Sequence, residues 1–458
     1  MKHLYNFSSK VLLAIVMLWA GILTVNAQEG KSSKVVTGLT ANEITANLMP
    51  GWNLGNTFDA NSKSGLAAET SWGAPLTTRE MIHAVKAAGF RSIRIPVSWA
   101  THVDFTDELD NEIEVEWIAR VKEVVEWAID EDLYVIINIH HDNNKQFYYP
   151  TELYKDQSLT YVKEVWMQVA DAFAEFDQRL IFEALNEPRL VGTNKEWWFD
   201  PVNPGVVCLD AINIINESNQ ICVDETRSNG KGHNNERMVM CPGYAAAVVG
   251  CLTNYYKLPD DPMVAVSVHA YVPNALCLAG IQKTFSEEDD ADIRDNVMIP
   301  IYEKFGANGI PVVIGEASCS NKLNLEARVQ WVQSYYGYAQ KYGMPVILWD
   351  NHEVGKVAGG ENHGFLNRND LTWTWPEFID AIMEITGTGI ENVVADNVKM
   401  FYVGNELTLM SETEISRCQI YNISGAVLKD FEVNSNYYSV NLNLADGAYL
   451  VTIETING

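Results

Sequence analysis

Two glutamates in this chain stand at the ends of apolar segments typical of buried strands. Glu187 follows the run 180–186 and precedes Pro188, and Glu316 follows the run 311–315. A pair of carboxyls held by buried strands suits cleavage of a glycosidic bond. One carboxyl protonates the leaving oxygen, and the other meets the positive charge that develops at the anomeric carbon. The two positions therefore predict glycosidase chemistry.

The elements around these residues follow a regular alternation from about residue 45 to 386. Short β-rich apolar runs alternate with longer amphipathic ones, which predicts a parallel sheet with helical crossovers. Strands are predicted at 49–54, 92–97, 134–140, 180–187, 238–243, 265–271, 312–316 and 346–350. Helices between them include 77–88, 114–130, 159–175, 292–308, 325–342 and 375–386. Eight such units favour an α/β fold of the (β/α)₈ TIM-barrel class.

A doubly wound sheet is the alternative fold. It would carry a Gly-rich phosphate turn after its first strand, and residues 51–56 lack that pattern. In a (β/α)₈ barrel, catalytic residues lie at the carboxyl ends of the strands. Candidate residues fall at these ends on six of the predicted strands: Arg94, His140, His141, Asn186, Glu187, His269, Tyr271, Glu316 and Trp349. The barrel fold would therefore bring them together at one mouth.

Seven short motifs in the barrel region resemble glycoside hydrolase family 5, the cellulase family of retaining (β/α)₈ enzymes. They are Asn53–Thr57, Arg94–Val97, Asn138–His141, Phe182–Pro188, Ser267–Tyr271, Gly315–Glu316 and Leu348–Asn351. Two further segments, Glu69–Gly73 and Glu196–Trp198, resemble its fourth subfamily of endo-β-1,4-glucanases and xyloglucanases. The resemblance spans about residues 45 to 386, with the motifs in the family's order.

The resemblance implies roles for individual residues. Glu187 would be the acid/base and Glu316 the nucleophile of a retaining mechanism, with the two carboxyls about 5–5.5 Å apart. Asn186 would hydrogen-bond the sugar 2-hydroxyl. Arg94 and Tyr271 would hold the nucleophile ionised and oriented.

The remaining site residues follow from the same resemblance. His269 would adjust the proton affinity of the acid/base, His140 would bind a sugar hydroxyl, and Trp349 would form an apolar floor under the reacting ring. Asn53 and His141 are counted as supporting residues. A metal site on the adjacent histidines is not expected, because neighbouring residues of a strand point to opposite faces. No cofactor is expected.

Residues 1–27 have the pattern of a secretory signal peptide. Lys2 and Lys10 precede an apolar stretch at 11–20, and Val25-Asn26-Ala27 forms a small-x-small exit. Removal of residues 1–27 takes away two lysines and no acidic residue, so the net charge changes from −28 to −30. Nucleic acid and anionic membranes are therefore poor partners, while binding of a neutral polysaccharide does not depend on this charge. We expect a secreted monomer without membrane insertion, located outside the cell, at the cell surface or in the periplasm of a bacterium. His102 is expected at the solvated surface.

The seven cysteines are odd in number and show no metal-binding spacing, so mostly buried free thiols are expected. After about residue 387, helical patterns give way to short β segments at 399–403, 407–410, 418–422, 427–433, 438–442 and 449–455. This predicts a catalytic domain at 28–386 and a small β-sandwich at 387–458.

The C-terminal region has two interpretations. Gln419–Gly425 and Leu444–Val451 resemble the sorting domain of type IX secretion in Bacteroidetes. A carbohydrate-binding module is the alternative, although the region contains no tryptophan after Trp375. The sorting domain is the favoured interpretation.

Three functions stay open from the sequence. The first is a retaining endo-β-1,4-glucanase acting on β-glucan polysaccharides such as cellulose, mixed-linkage glucan and xyloglucan. The second is a β-mannanase or xylanase of the same family, because the motifs do not set the loops that distinguish sugars. The third is a catalytically silent polysaccharide-binding protein, against which the intact pair Glu187 and Glu316 argues.

Overall fold

The computed structural model describes residues 35–455 apart from 107–108, 229, 356–359, 388–397, 404–405, 423–426 and 443–448. The predicted signal peptide therefore lies outside the described residues. The barrel belongs to a compact unit at Gly30–Ile390, and the C-terminal sheet belongs to a separate unit that includes Glu391–Gly458.

Eight parallel strands close into a barrel, which confirms the predicted fold class. The strands are β1 (Gly51–Asn53), β2 (Ser92–Ile95), β3 (Tyr134–Asn138), β4 (Leu180–Glu183), β5 (Val239–Pro242), β6 (Val264–His269), β7 (Val312–Ala317) and β8 (Val346–Leu348). Each strand pairs with its neighbours in sequence, and β8 pairs with β1 to complete the barrel. All carboxyl ends consequently lie at one rim.

Helices connect the strands. They are α1 (Ala41–Ala46), α2 (Arg79–Ala87), α3 (Val115–Asp130), α4 (Lys155–Ala172), α5 (Gly205–Ser228), α6 (Val248–Leu252), α7 (Asn274–Cys277), α8 (Glu287–Ile293), α9 (Ile299–Lys304), α10 (Leu325–Lys341) and α11 (Pro376–Thr386). The 24-residue α5 adds to the predicted helices. The helix predicted at 292–308 is instead a series of shorter segments, because a π-helical turn at Arg294–Met298 separates α8 from α9.

The interior of the barrel changes from apolar to polar along its axis. The apolar layer is formed by buried strand residues: Ile136, Ile181, Ala265, Val313 and Ile347. Ile44 and Leu48, from α1 and the segment after it, pack against this layer. Because side chains alternate between the faces of a strand, the residues two positions further on point into the same interior. On β3, β4 and β6 these are Asn138, Glu183 and Ser267, all fully buried.

Seven of the eight strands end earlier than the sequence predicts, and two of these early ends bear on the candidate site. β3 ends at Asn138 and β4 at Glu183, so Glu187 lies on the loop after β4 and not on the strand itself. The loops stay hydrogen-bonded to the rim, since the Asn186 N–H donates to the Ile139 carbonyl at 2.8 Å. The apolar composition continues past the last strand residue that pairs with a neighbouring strand, so the sequence predicts longer strands.

The prediction that His102 is solvated is wrong. Its ring is fully buried and stacks on Trp117 with centroids 3.8 Å apart. Burial lowers the pKa of His102 to about 4, so the side chain is a neutral core residue at pH 7. The sequence did not reveal this because the stacking partner lies fifteen positions away, on α3.

The thiols agree with the sequence prediction. All seven cysteines of the chain lie among the described residues, and each is buried and free. Burial raises the pKa of several thiols. For Cys251 the pKa rises to about 12. A neutral buried thiol behaves as a small apolar side chain.

The C-terminal unit contains a small antiparallel sheet of four strands, where the sequence predicted a β-sandwich. Its strands are β9 (Val398–Val403), β10 (Glu406–Asn422), β11 (Val427–Asn441) and β12 (Tyr449–Thr455). β10 pairs with β9, β11 and β12, so the six predicted segments form four strands. Leu409, Ile415 and Ile420 are buried in its core. Among the described residues of both units, no helix is both long enough and apolar enough to cross a membrane.

Candidate active site

Arg94 on β2 connects the buried polar groups at the barrel mouth. Its Nε donates to Glu183 Oε2 at 2.8 Å, and its Nη1 donates to Glu316 Oε1 at 2.7 Å and to Asn53 Oδ1 at 2.9 Å. Its Nη2 donates to Asn186 Oδ1 at 2.8 Å. Burial alone would lower the pKa of Arg94, but the two carboxylates raise it above its usual value. A charged, planar guanidinium thus fixes both carboxylates in position.

Glu183 on β4 is a site residue that the sequence analysis missed. Besides Arg94, it accepts hydrogen bonds from Asn138 Nδ2 at 2.8 Å and Ser267 Oγ at 2.6 Å. Burial would raise the pKa of Glu183, but the charge of Arg94 and contacts with His269 and Ser267 outweigh it and lower the pKa to about 2. The available signal was an acidic residue inside an otherwise apolar strand.

Glu316 on β7 has a hydrogen-bond donor on each carboxylate oxygen. Arg94 donates to Oε1, and the Tyr271 hydroxyl donates to Oε2 at 2.9 Å. Burial, followed by the negative charge of Glu316, raises the pKa of Tyr271 well above its usual value. The hydroxyl therefore stays protonated and keeps donating across the neutral range.

His269 at the end of β6 lies among three carboxylates. Its Nδ1 is 2.9 Å from Glu187 Oε1 and 3.7 Å from Glu316 Oε2, and its Nε2 is 3.8 Å from Glu183 Oε1. Gly315 makes this packing possible, because a Cβ there would stand 3.1 Å from His269 Nε2.

Glu187 and His269 share a hydrogen bond and shift each other's pKa in opposite directions. Burial would lower the pKa of His269, but the charge of Glu316 and the hydrogen bonds to Glu183 and Glu187 raise it to about 9. Burial would raise the pKa of Glu187, but the hydrogen bond and charge of His269 outweigh it and lower the pKa. At neutral pH the pair therefore holds one proton, located on the histidine side of the hydrogen bond.

The two candidate catalytic carboxyls are close together. An oxygen of Glu187 and an oxygen of Glu316 lie within 4.8 Å of each other and of a ring nitrogen of His269. This proximity fits the separation of about 5–5.5 Å typical of retaining enzymes. It leaves no room for the intervening water of inverting enzymes, whose carboxyls stand about 6.5–9.5 Å apart.

The rings of His140 and Trp349 lie stacked at the barrel mouth. The two rings are parallel within 5°, with centroids 5.9 Å apart. His140 Nδ1 faces Asn138 Nδ2 at 3.1 Å and must accept that hydrogen bond, which leaves the ring proton on Nε2. Burial and the neighbouring His141 keep the pKa of His140 well below its usual value. The ring is a neutral donor.

The argument against a metal site on adjacent histidines is wrong in its geometry. Because β3 ends at Asn138, strand alternation no longer separates the His140 and His141 rings, whose centroids are 4.3 Å apart. Both lie close enough to Asp59 for the three to hold a metal ion. Asp59 also accepts hydrogen bonds from the backbone N–H groups of residues 56 and 57, at 3.0 and 2.7 Å. These bonds give it a role in folding the loop after β1.

The other candidate residues fall into two groups. Asn53 is fully buried and donates to the carbonyls of Gly315 and Ile347, so it supports Arg94 and does not reach the cleft. Trp197 and Trp198 lie on the loop after β4 and are 56% and 61% exposed. Their exposure leaves ring surface available to a ligand.

The comparison with known families gives a direct match. The profile of the family described as "Cellulase (glycosyl hydrolase family 5)" matches residues 56–355. The chain is 38% identical to Endoglucanase A of Clostridium longisporum over 363 residues, covering 77% of this chain and 66% of that protein. It is 37% identical to Endoglucanase 1 of Ruminococcus albus, covering 78% of this chain and 84% of that protein.

Solved structures show the same likeness. A mutant of a glycoside hydrolase 5 lichenase from Caldicellulosiruptor sp. F32, in complex with cellotetraose, matches with a TM-score of 0.72 and 41% identity. That match covers 77% of this chain and 96% of the lichenase. A GH5-4 broad-specificity endoglucanase from Ruminococcus champanellensis, with bound cellotriose, matches with a TM-score of 0.69 and 38% identity over 75% of this chain and 98% of that one. With this fold and these matches, the chain belongs to glycosyl hydrolase family 5, the cellulase family.

Proposed function

We propose that this chain is a retaining endo-β-1,4-glucanase that hydrolyses internal bonds of β-glucans such as cellulose, mixed-linkage glucan and xyloglucan. The observation that carries the proposal is the close pair of Glu187 and Glu316. The Glu187 carboxyl is hydrogen-bonded to protonated His269. The Glu316 carboxyl accepts hydrogen bonds from Arg94 and Tyr271. The related endoglucanases support β-glucan as the substrate class.

In the first step, a Glu316 oxygen attacks the anomeric carbon and forms a glycosyl-enzyme. The leaving oxygen takes a proton from Glu187, and His269 supplies that proton across the 2.9 Å hydrogen bond as negative charge builds up. Tyr271 and Arg94 retain their hydrogen bonds to the nucleophile and keep it aimed.

In the second step, water replaces the leaving group. Glu187 accepts a proton from the water while the water oxygen bonds to the anomeric carbon and the bond to Glu316 breaks. Each displacement inverts the anomeric centre, so the product keeps the starting β configuration.

Three side chains bind the sugar that reacts. Arg94 occupies Asn186 Oδ1, so the amide Nδ2 is left to donate to the sugar 2-hydroxyl. His140 Nε2 donates to a second hydroxyl, and Trp349 lies under the ring. Gly55 allows this placement of Trp349, because a Cβ there would come within 2.8 Å of the indole.

Sugar release from a panel of polysaccharides tests the proposal. We expect the wild type to release reducing ends from carboxymethylcellulose, mixed-linkage glucan and xyloglucan, and the Glu316→Ala variant to release almost none. Glu126→Gln, on the exposed face of α3, is the matched control and should keep wild-type rates. Activity on mannan or xylan alone would mean that the enzyme is a β-mannanase or a xylanase. Inactivity on every polymer would favour a catalytically silent binding protein.

We also propose that residues 1–27 direct secretion and that residues 387–458 serve as a sorting domain of the type IX kind. The basic, apolar and small-residue order of the first segment supports the former. The motifs Gln419–Gly425 and Leu444–Val451 support the latter. The enzyme would then act outside the cytoplasm, where its polymeric substrates are found.

A further inference from the structure

The loop after β4 places a cation beside the acid/base. Arg189 Nη1 donates to the Glu187 carbonyl at 2.8 Å and lies 3.5 Å from Glu187 Oε2. On the other side, Arg189 Nε donates to Glu196 Oε1 at 3.3 Å. The Arg189 guanidinium carbon lies 3.9 Å from the centroid of the Trp197 ring. We name Arg189, Glu196 and Trp197 the loop stack.

We propose that Arg189 is a positioning residue for catalysis, which orients the Glu187 carboxyl and keeps it ionised ahead of the second displacement. This inference rests on the proposed function, since it assigns Glu187 the acid/base role. Nothing in the motifs of the sequence indicated such a role for Arg189.

The two oxygens of Glu187 have different partners. His269 contacts Oε1, and Arg189 contacts Oε2. Two partners on opposite oxygens restrict rotation of the carboxyl, as a general acid and base requires. The two positive groups favour a carboxylate over a neutral acid, so Glu187 is ionised, as a general base must be, when the water approaches the glycosyl-enzyme.

The loop stack holds Arg189 in place. Glu196 Oε2 accepts the Gly192 N–H at 2.9 Å, which anchors the glutamate to the turn of the same loop. Asn143 adds a second anchor, because its side chain exchanges hydrogen bonds with the Arg189 backbone N–H and carbonyl, both at 2.9 Å. Arg189 is therefore held at its backbone by Asn143 and at its guanidinium by Glu196.

Other groups also act on Glu187 and must be separated from Arg189 in any experiment. The titratable or charged residues that face or influence Glu187 are His269, Arg189, His141, Tyr271, Glu316 and Glu361. Arg189 is the arginine of this set, and it can be neutralised without changing the side chains that hydrogen-bond the nucleophile, Arg94 and Tyr271.

The pH dependence of kcat/KM on a cello-oligosaccharide tests the inference, because its basic limb reports loss of the proton from the Glu187–His269 pair. In Arg189→Met, we expect this limb to move upward by about one pH unit and kcat at the optimum to fall roughly tenfold. Arg189→Lys keeps the charge and should return the limb close to its wild-type position. Glu196→Gln removes a negative charge behind the guanidinium and should move the limb downward.

Arg294→Met is the matched control, since Arg294 pairs with Asp295 on the π-helical turn and its loss changes the net charge equally. Its limb should not move. Suppose that the wild type hydrolyses the substrate but the basic limb of Arg189→Met stays in place, or moves no further than that of Arg294→Met. This result overturns the role of Arg189 and leaves the proposed function standing. If Arg189→Met does not fold, the other two variants decide the matter: the limb should stay near the wild-type position in Arg189→Lys and move downward in Glu196→Gln, and no downward shift in Glu196→Gln also overturns the inference. A wild type inactive on every glucan overturns the proposed function instead.

Discussion

Glu183→Gln should destabilise the barrel in a way that depends on pH. The substitution keeps the shape of the side chain but removes the charge that faces Arg94 in a fully buried site. Arg94 then keeps Glu316 as its remaining carboxylate partner. Leaving a buried charge partly uncompensated is strongly unfavourable, by about 3–5 kcal/mol in comparable pairs.

The pKa of Glu183 gives a second measure of the same effect. It falls from 4.5 to about 2 on folding, and at about 1.4 kcal/mol per pH unit this contributes roughly 3 kcal/mol to the free energy of unfolding. Because the pKa is lowered in the fold, the contribution is fully present above pH 4.5 and is lost as the pH falls towards 2. The difference between wild type and variant should therefore be largest at pH 7 and shrink below pH 4.5.

Urea unfolding followed by tryptophan fluorescence measures this difference for the barrel alone, because no tryptophan follows Trp375. Glu126→Gln is the control for loss of an exposed carboxylate from α3. We expect a midpoint well below that of the wild type for Glu183→Gln at pH 7 and near-identical midpoints for the control. Equal stability of Glu183→Gln and wild type at pH 7, or a difference that stays constant down to pH 3, would refute the reasoning.

Three further outcomes are expected. Proton NMR of the early reaction mixture should show the β-anomer first, because the carboxyl oxygens lie within 4.8 Å; initial α-anomer would mean inversion. Azide should partly restore turnover of Glu187→Ala on a substrate with a good leaving group, because the anion attacks the glycosyl-enzyme where the lost base would activate water; no rescue, with an intact fold, would count against that role. Deleting residues from about 390 onward should leave activity on soluble glucan unchanged, and a cellulose pull-down that retains only the full chain would favour a binding module over a sorting domain.

Much of the fold could be predicted from local patterns. The eight strands and most of the longer helices follow from residue periodicity, which depends only on neighbours along the chain. The family likewise follows from short motifs such as Phe182–Pro188. The residues of these motifs do converge at one rim, because all parallel strands of a closed barrel present their carboxyl ends there.

Other features depend on contacts between distant parts of the chain. Glu183 becomes a site residue because Arg94, Asn138 and Ser267 reach it from three other strands. The burial of His102 requires a ring from α3, and the His140 and His141 rings approach each other only because their strand ends early. No local pattern contains this information.

What the sequence alone determined is therefore the order of elements and the family, and it also predicts the two candidate carboxyls, since each of these is written in consecutive residues. What only the tertiary structure decided is the electrostatic state of Glu187. A pKa depends on burial and on charges a few ångströms away, and for Glu187 the charges of His269 and Arg189 come from β6 and the loop after β4. Distances across the barrel, which no linear motif specifies, thus set where the proton resides.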